Sequence, residues 1–255
     1  MNVYVCVKSV PADETVAFDE KNGTLKRTGR DMTANPCDVV AVEAALRFAK
    51  ATKAKVTAVS MGPSDAGLRT ALSMGVDEAY LLKAPCFAGV PATAYTLAAF
   101  LKEQPQVDVI FCGKHSADGD TGQTGAMLAE RMGIPHVCGV SHMERGKEGE
   151  IDVVQHLEDR EVFLRVNAPC LLILRGDICI PKNPTLQGIL RARKQKIFLE
   201  DGQSIRGLDR RRCGLKGSAT KVISLFVPQR TRKTKKLMRE NIWELKPLLE
   251  EAQDG

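Results

Sequence analysis

The sequence predicts an α/β fold: a parallel sheet wound by helices, with antiparallel additions and a C-terminal arm. Over residues 3 to 132 short apolar runs alternate with segments of helical periodicity, the pattern of parallel strands joined by right-handed crossovers. Beyond Pro135 the candidate strands are joined by short polar connections instead of helices. From residue 182 the chain turns basic and only weakly periodic. Two parts are therefore expected, an α/β domain over 1–181 and a basic arm over 182–255.

Val3-Tyr4-Val5-Cys6-Val7 opens the pattern as a strand apolar enough to be buried on both faces, with Lys8 at its carboxyl end. An irregular polar stretch follows to about residue 34. Asn35-Pro36-Cys37-Asp38 then leads into a helix whose Val42, Ala45, Leu46 and Ala49 share one stripe, and Asp38 is the expected cap. Residues 54–61 read as the second strand, Gly62-Pro63-Ser64 as a turn, and 65–74 as a helix stopped at Gly75. A strand over 79–82, a helix over 92–103, a strand over 107–112 and a helix over 121–132 complete the alternation. Candidate strands at 151–156, 161–167 and 170–175 read as antiparallel or edge-adding, and a terminal helix is expected over 243–251.

A length of 255 residues with 44% hydrophobic content suffices for one substantial core and a smaller appendage. No segment has the charge and apolar run of a signal peptide, and none approaches the roughly 18 apolar residues of a membrane span. A cytoplasmic protein is expected. Eight cysteines stand singly, without C-x-x-C pairs or zinc-type spacing, which disfavours a zinc or iron–sulfur site and suits a reducing compartment. Most are expected to be small core residues.

The net charge of +6 is uneven. Residues 191–239 hold 16 Lys and Arg against 3 acidic residues, which leaves the rest of the chain at −7. Blocks such as Arg210-Arg211-Arg212 and Arg230 to Lys236 could neutralise nucleic-acid phosphates, but no aromatic residues alternate with them. A solvated or partner-facing tail is the simpler reading.

The strand at 107–112 runs into Gly113-Lys114-His115-Ser116-Ala117-Asp118-Gly119-Asp120-Thr121-Gly122-Gln123-Thr124-Gly125. A buried strand, a Gly- and hydroxyl-rich loop and a helix start make the place where open α/β sheets hold nucleotides. Gly119, Gly122 and Gly125 allow close backbone approach, and Thr121, Gln123 and Thr124 offer donors. Asp118 and Asp120 would repel phosphate unless they accept from ribose hydroxyls or cap the helix. P-loop and G-x-G-x-x-G motifs are missing, as is a calcium-loop spacing. His115 has no Ser or Cys nucleophile elbow or obvious carboxylate orienter beside it in sequence, and reads as a loop histidine; His136, His142 and His156 lack a local constellation.

Five segments in order resemble the β (small) subunit of electron transfer flavoprotein: Val5 to Lys8, Asn35 to Asp38 with Ala41 to Ala45, Val59 to Pro63, Arg69 to Asp77, and Gly113 to Gly125. The resemblance covers nearly the whole chain and implies a Rossmann-like adenine-nucleotide-binding domain that pairs with a larger, FAD-bearing α subunit. It implies that Cys6, Asn35, Pro36, Cys37, Met61 and the loop residues Gly113, Asp118, Gly119, Asp120, Thr121, Gly122, Gln123 and Thr124 surround the nucleotide. It also places a partner-docking loop at 185–191, with Leu186 its apolar anchor, although burial in the arm accounts for a lone leucine equally well.

Ordinary members of the family hold AMP in this subunit, and electron-bifurcating members hold a second FAD. Asp118-Gly119-Asp120-Thr121-x-Gln123 and Gly214 to Thr220 resemble the bifurcating pattern, while Gly122 and Thr124 stand where that group commonly has Ala and Val. The bifurcating reading implies NADH as electron donor, with ferredoxin and an acyl-CoA or lactate-type dehydrogenase as acceptors. A universal-stress-type nucleotide-binding protein is the alternative from another class, though its glycine-rich ATP signature is not visible. Weak amide protection over 182–255 in the absence of the α subunit is expected.

Overall fold

The computed structural model describes residues 1–12, 31–83, 89–147, 149–201 and 205–213, together with 18–19, 24–25, 243 and 245–246. Most of the irregular stretch before residue 31, the Gly214 to Thr220 segment, the Arg230 to Lys236 block and nearly all of the expected terminal helix lie outside the described residues. The chain divides into two units, 1–222 and 223–255; the first contains every element discussed below.

In chain order these are β1 (Asn2–Cys6), β2 (Ser9–Pro11), β3 (Phe18–Asp19), β4 (Thr24–Leu25), β5 (Met32–Ala34), α1 (Pro36–Thr52), β6 (Lys55–Met61), α2 (Ala66–Met74), β7 (Glu78–Lys83), α3 (Val90–Lys102), β8 (Val109–Gly113) and α4 (Thr124–Met132). There follow β9 (His136–Arg145), β10 (Glu150–His156), β11 (Glu161–Asn167), β12 (Cys170–Leu174), α5 (Leu186–Lys194) and β13 (Phe198–Asp201). Nine strands form one sheet in the order β11-β10-β9-β12-β8-β1-β6-β7-β13.

Alternation along β1 builds both layers. Val3 and Val5 face one core cluster with Val42 and Phe48 of α1 and Leu68 and Leu72 of α2. Tyr4 faces the other, with Leu97 and Leu101 of α3 and Leu128 of α4. The phenol of Tyr4 is pushed up to about 12, first by burial. The pairings β8-β1, β1-β6 and β6-β7 are all parallel. The crossover β6-α2-β7 leads away from β1 on one side, and α3 carries the chain back to β8 on the other. The strand order therefore reverses between β1 and β8, where such sheets place their ligands, beyond the carboxyl ends of the strands.

Three expectations are corrected. Cys170–Leu174, read as antiparallel or edge-adding, is fully buried and lies parallel to both β8 and β9 near the middle of the sheet; the antiparallel pairings described in the nine-stranded sheet are β9–β10 and β10–β11. The long β9 was not foreseen because its burial is irregular and its alternation weak. Of the seven described cysteines only Cys112, Cys170 and Cys213 are buried, and Cys138 is exposed; all seven are free thiols.

The start of the basic arm is tied down. β13 extends the sheet edge parallel to β7. Helix α5 lies on α2 so closely that a Cβ on Gly188 would overlap the carbonyl oxygen of Ser73. Its N-terminus is capped by Thr185, whose hydroxyl accepts from the Gly188 amide at 3.0 Å. At its other end Arg69 donates to the carbonyls of Ala192 at 2.6 Å and Gln195 at 2.8 Å, closing acceptors that a helix terminus leaves open. Weak protection is therefore not expected over 186–201. Arg69→Ala should raise amide exchange there by about tenfold, the worth of one charge-assisted hydrogen bond, while β1 and β8 stay protected. Unchanged exchange by mass spectrometry would contradict this role.

Candidate functional site

A cavity of about 650 Å³ opens over the carboxyl ends of β1, β6 and β8. One wall is the loop from Gly113 to Gly125; the opposite wall is formed by Lys83, Val90, Thr93 and Leu97 from β7 and α3. Cys6, Asn35, Met61, Gly113, Gly119, Thr121, Gly122 and Thr124, all singled out from the sequence, line it. Pro36, Cys37, Asp118, Asp120 and Gln123 do not.

The loop is longer than expected because α4 starts at Thr124 instead of 121, with Gln123 at its N-cap position and no side-chain cap bond. Two residues of the loop take left-handed backbone, Asp120 at φ 46° and Gly122 at φ 62°. Glycine carries this without cost and aspartate tolerates it better than most residues. The turn is held by Ser116, whose carbonyl accepts from the amide of Asp120 at 2.8 Å.

Asn35 and Asp38, at the start of α1, support this loop from below. Asn35 is buried; its amide nitrogen donates to the His115 carbonyl at 2.8 Å, and its oxygen accepts from the Ala117 amide at 3.0 Å. Asp38 does not cap α1 as expected. It is the third residue of the helix, buried, and its Oδ2 accepts from the backbone amide of Lys8 at 2.8 Å. The Gly113 amide and the Asn35 side chain also donate to it. Burial nevertheless pushes the Asp38 carboxyl up from 3.8 to about 7, against the opposing pull of these donors and of the Lys8 charge.

Each of the two loop carboxylates has a neighbour within the protein, the Lys8 ammonium for Asp118 and the His115 ring for Asp120. Lys8 Nζ bonds Asp118 Oδ1 at 2.5 Å and Ser116 Oγ at 3.1 Å, and the Asp118 side chain is 3% exposed. Asp120 Oδ1 lies 2.8 Å from His115 Nδ1, though without the alignment of a hydrogen bond. Neither aspartate caps α4, and Asp118 is turned away from the cavity. Phosphate at the loop would therefore meet backbone amides, hydroxyls and Lys8 instead of bare carboxylate.

Sequence reasoning missed Lys8, Asp38, Ser9 and Ser64 as parts of the site. Ser9 Oγ donates to the Ser64 carbonyl at 3.0 Å and accepts from the Gly67 amide at 3.0 Å, which fixes the start of α2 against the end of β1. The legible signal for Lys8 was its place directly after a buried strand, facing a loop with two aspartates that needed a cation. At the floor, Cys6 and Cys112 share a hydrogen bond that, with burial, drives the Cys112 thiol well above its usual range. Among the described residues no group of three or more His, Cys, Asp or Glu is placed to hold a metal, and no helix is long and apolar enough to cross a membrane.

The family model described as the electron transfer flavoprotein domain matches residues 22–198. The electron transfer flavoprotein subunit beta of Thermoanaerobacterium thermosaccharolyticum is 39% identical over 240 residues, covering 91% of this chain and 90% of its own. The caffeyl-CoA reductase-Etf complex subunit CarD of Acetobacterium woodii is 37% identical over 233 residues, covering 89% and 88%. The acryloyl-CoA reductase electron transfer subunit gamma of Anaerotignum propionicum is 34% identical over 239 residues, covering 89% of each. The chain belongs to the electron transfer flavoprotein family, as a β subunit.

Proposed function

We propose that the cavity binds FAD and that the chain works in an electron-bifurcating flavoprotein, paired with an α subunit. The cavity itself carries this reading. At about 650 Å³ it lies well inside the roughly 300–1,000 Å³ range of cofactor-sized sites, and it runs from the phosphate-type loop to the apolar wall of Val90 and Leu97. FAD has more than twice as many non-hydrogen atoms as AMP, and the added part is a ring system suited to an apolar wall. Backbone left bare at Gly62, Gly119 and Gly122 and the hydroxyls of Thr121 and Thr124 suit a pyrophosphate and ribose.

When bound, a flavin supplies both one- and two-electron chemistry. The residues of this chain position it: Asn35 and Asp38 set the height of the loop, Lys8 removes the Asp118 charge, and α3 closes the apolar side. In this reading NADH is the donor, while ferredoxin and a dehydrogenase of the acyl-CoA or lactate type receive the electrons. Two relatives named for acryloyl-CoA and caffeyl-CoA reductase complexes support that class of partner. Leu186 is the proposed docking anchor, since it is 73% exposed on the first turn of α5 instead of buried in an arm.

Heat release of nucleotide from the purified αβ heterodimer, followed by mass spectrometry, tests the reading. Two FAD per heterodimer are expected. One FAD with one AMP would instead make this the ordinary, non-bifurcating type with a structural AMP.

A further inference from the structure

We propose that Cys37 is a nucleophilic thiol, with His115 as its base and Asp120 as the group that orients the base, and that it forms a modification site for hydroperoxides at the rim of the loop. Cys37 is adjacent to the residues that shape the cavity but does not line it; its Sγ lies instead 3.8 Å from His115 Nε2. The other ring nitrogen, Nδ1, lies 2.8 Å from Asp120 Oδ1, though not aligned with it for a hydrogen bond. Thiol, imidazole and carboxylate thus stand next to one another, the set of groups that activates thiols in unrelated folds.

Three further features support the assignment. Cys37 is the second residue of the 17-residue helix α1, so its backbone is held in the first turn of a long helix. His115 is fixed through its backbone, whose carbonyl accepts from the buried Asn35 side chain, so the ring is presented by a rigid support. Asp120 reaches the ring from left-handed backbone at φ 46°, and its own amide is held by the Ser116 carbonyl at 2.8 Å. A proton on Nδ1 beside the carboxylate leaves Nε2 free to accept from the thiol. Cys37 is half-buried and therefore within reach of a small reagent.

The step balances. His115 takes the thiol proton, and the Cys37 sulfur attacks one oxygen of a hydroperoxide. A sulfur–oxygen bond forms as the oxygen–oxygen bond breaks, and the departing oxygen takes the proton from His115 and leaves as water or alcohol. Sulfur is oxidised by two electrons to the sulfenic acid, and the peroxide is reduced by two. This site does not depend on which nucleotide fills the cavity.

The test is competitive labelling of the full-length chain with limiting iodoacetamide, each cysteine followed by peptide mass spectrometry. If exposure alone governed the rate, the exposed Cys138 would react before the half-buried Cys37. Activation predicts the reverse, by about tenfold or more, and a corresponding loss at Cys37 in both His115→Gln and Asp120→Asn. The Cys138 rate in those variants reports whether the fold is intact. Hydrogen peroxide with dimedone should trap sulfenic acid at Cys37. The assignment is overturned if Cys37 reacts no faster than Cys138, or if either variant leaves its rate unchanged.

Discussion

Asp38→Asn is expected to remove most of the fall in stability that this group causes as pH rises from about 4 to about 7. The Asp38 carboxyl ionises near 3.8 when unfolded but only at about 7 in its buried site. Below the lower value both states are protonated and the group makes no pH-dependent difference. Between the two values the folded state keeps a proton that the unfolded state has released, so stability falls with rising pH and reaches its full cost above 7. That cost is on the order of 4 kcal/mol. Asparagine cannot titrate, but its amide nitrogen faces the donors of Lys8, Asn35 and Gly113 and leaves at least one of them unmet, a loss of about 1–3 kcal/mol. The wild type should therefore lead the variant near pH 4 and lose that lead by pH 8 in urea denaturation. A difference independent of pH would show that the buried carboxyl is not the titrating group.

Gly113→Ala should have the larger effect at neutral pH. A Cβ there would overlap Asp38 Oδ1 and lie 2.8 Å from the carbonyl carbon of Cys37. Neither obstacle is the free end of a flexible chain: one is held by three donors and the other is backbone in the first turn of α1. Overpacking of this kind costs about 1–3 kcal/mol, and here also displaces the loop from Asn35. Gly133→Ala provides the comparison. Gly133 has φ 72° and open space around it, so its variant should lose only the roughly 1–2 kcal/mol of left-handed backbone and keep its nucleotide. Equal losses of bound nucleotide in the two variants would remove the special role of Gly113.

Much of the fold was legible because period and punctuation agreed. The alternation from β1 to α4 follows from buried strands too apolar to misread and from helices stopped at residues such as Gly75, where the structure places the end of α2. The antiparallel meander was partly legible, but β12 was not, because a strand of five buried residues looks the same at an edge connection as at the centre of a sheet. The loop alone pointed to the place where the cavity opens. Its electrostatics could not, since Lys8 and Asp118 are 110 residues apart and only the β1–β8 pairing brings them together. Asp38 was misassigned for a related reason: a carboxylate in the first turn of a helix usually serves that helix, and here it serves the ends of two neighbouring strands.

The placement of β12 also sets an order of events in time. β9, β10 and β11 form a unit from neighbouring sequence, while β1, β6, β7 and β8 form another, and within the sheet β12 alone pairs with both. During synthesis neither half can join the other until residue 174 has emerged. Gly125, at the start of α4, packs against Ile173 of β12 with no room for a Cβ. The loop that shapes the cavity is thus backed by a strand made some fifty residues after it, a contact of high sequence separation that the nascent chain makes only after β12 has emerged.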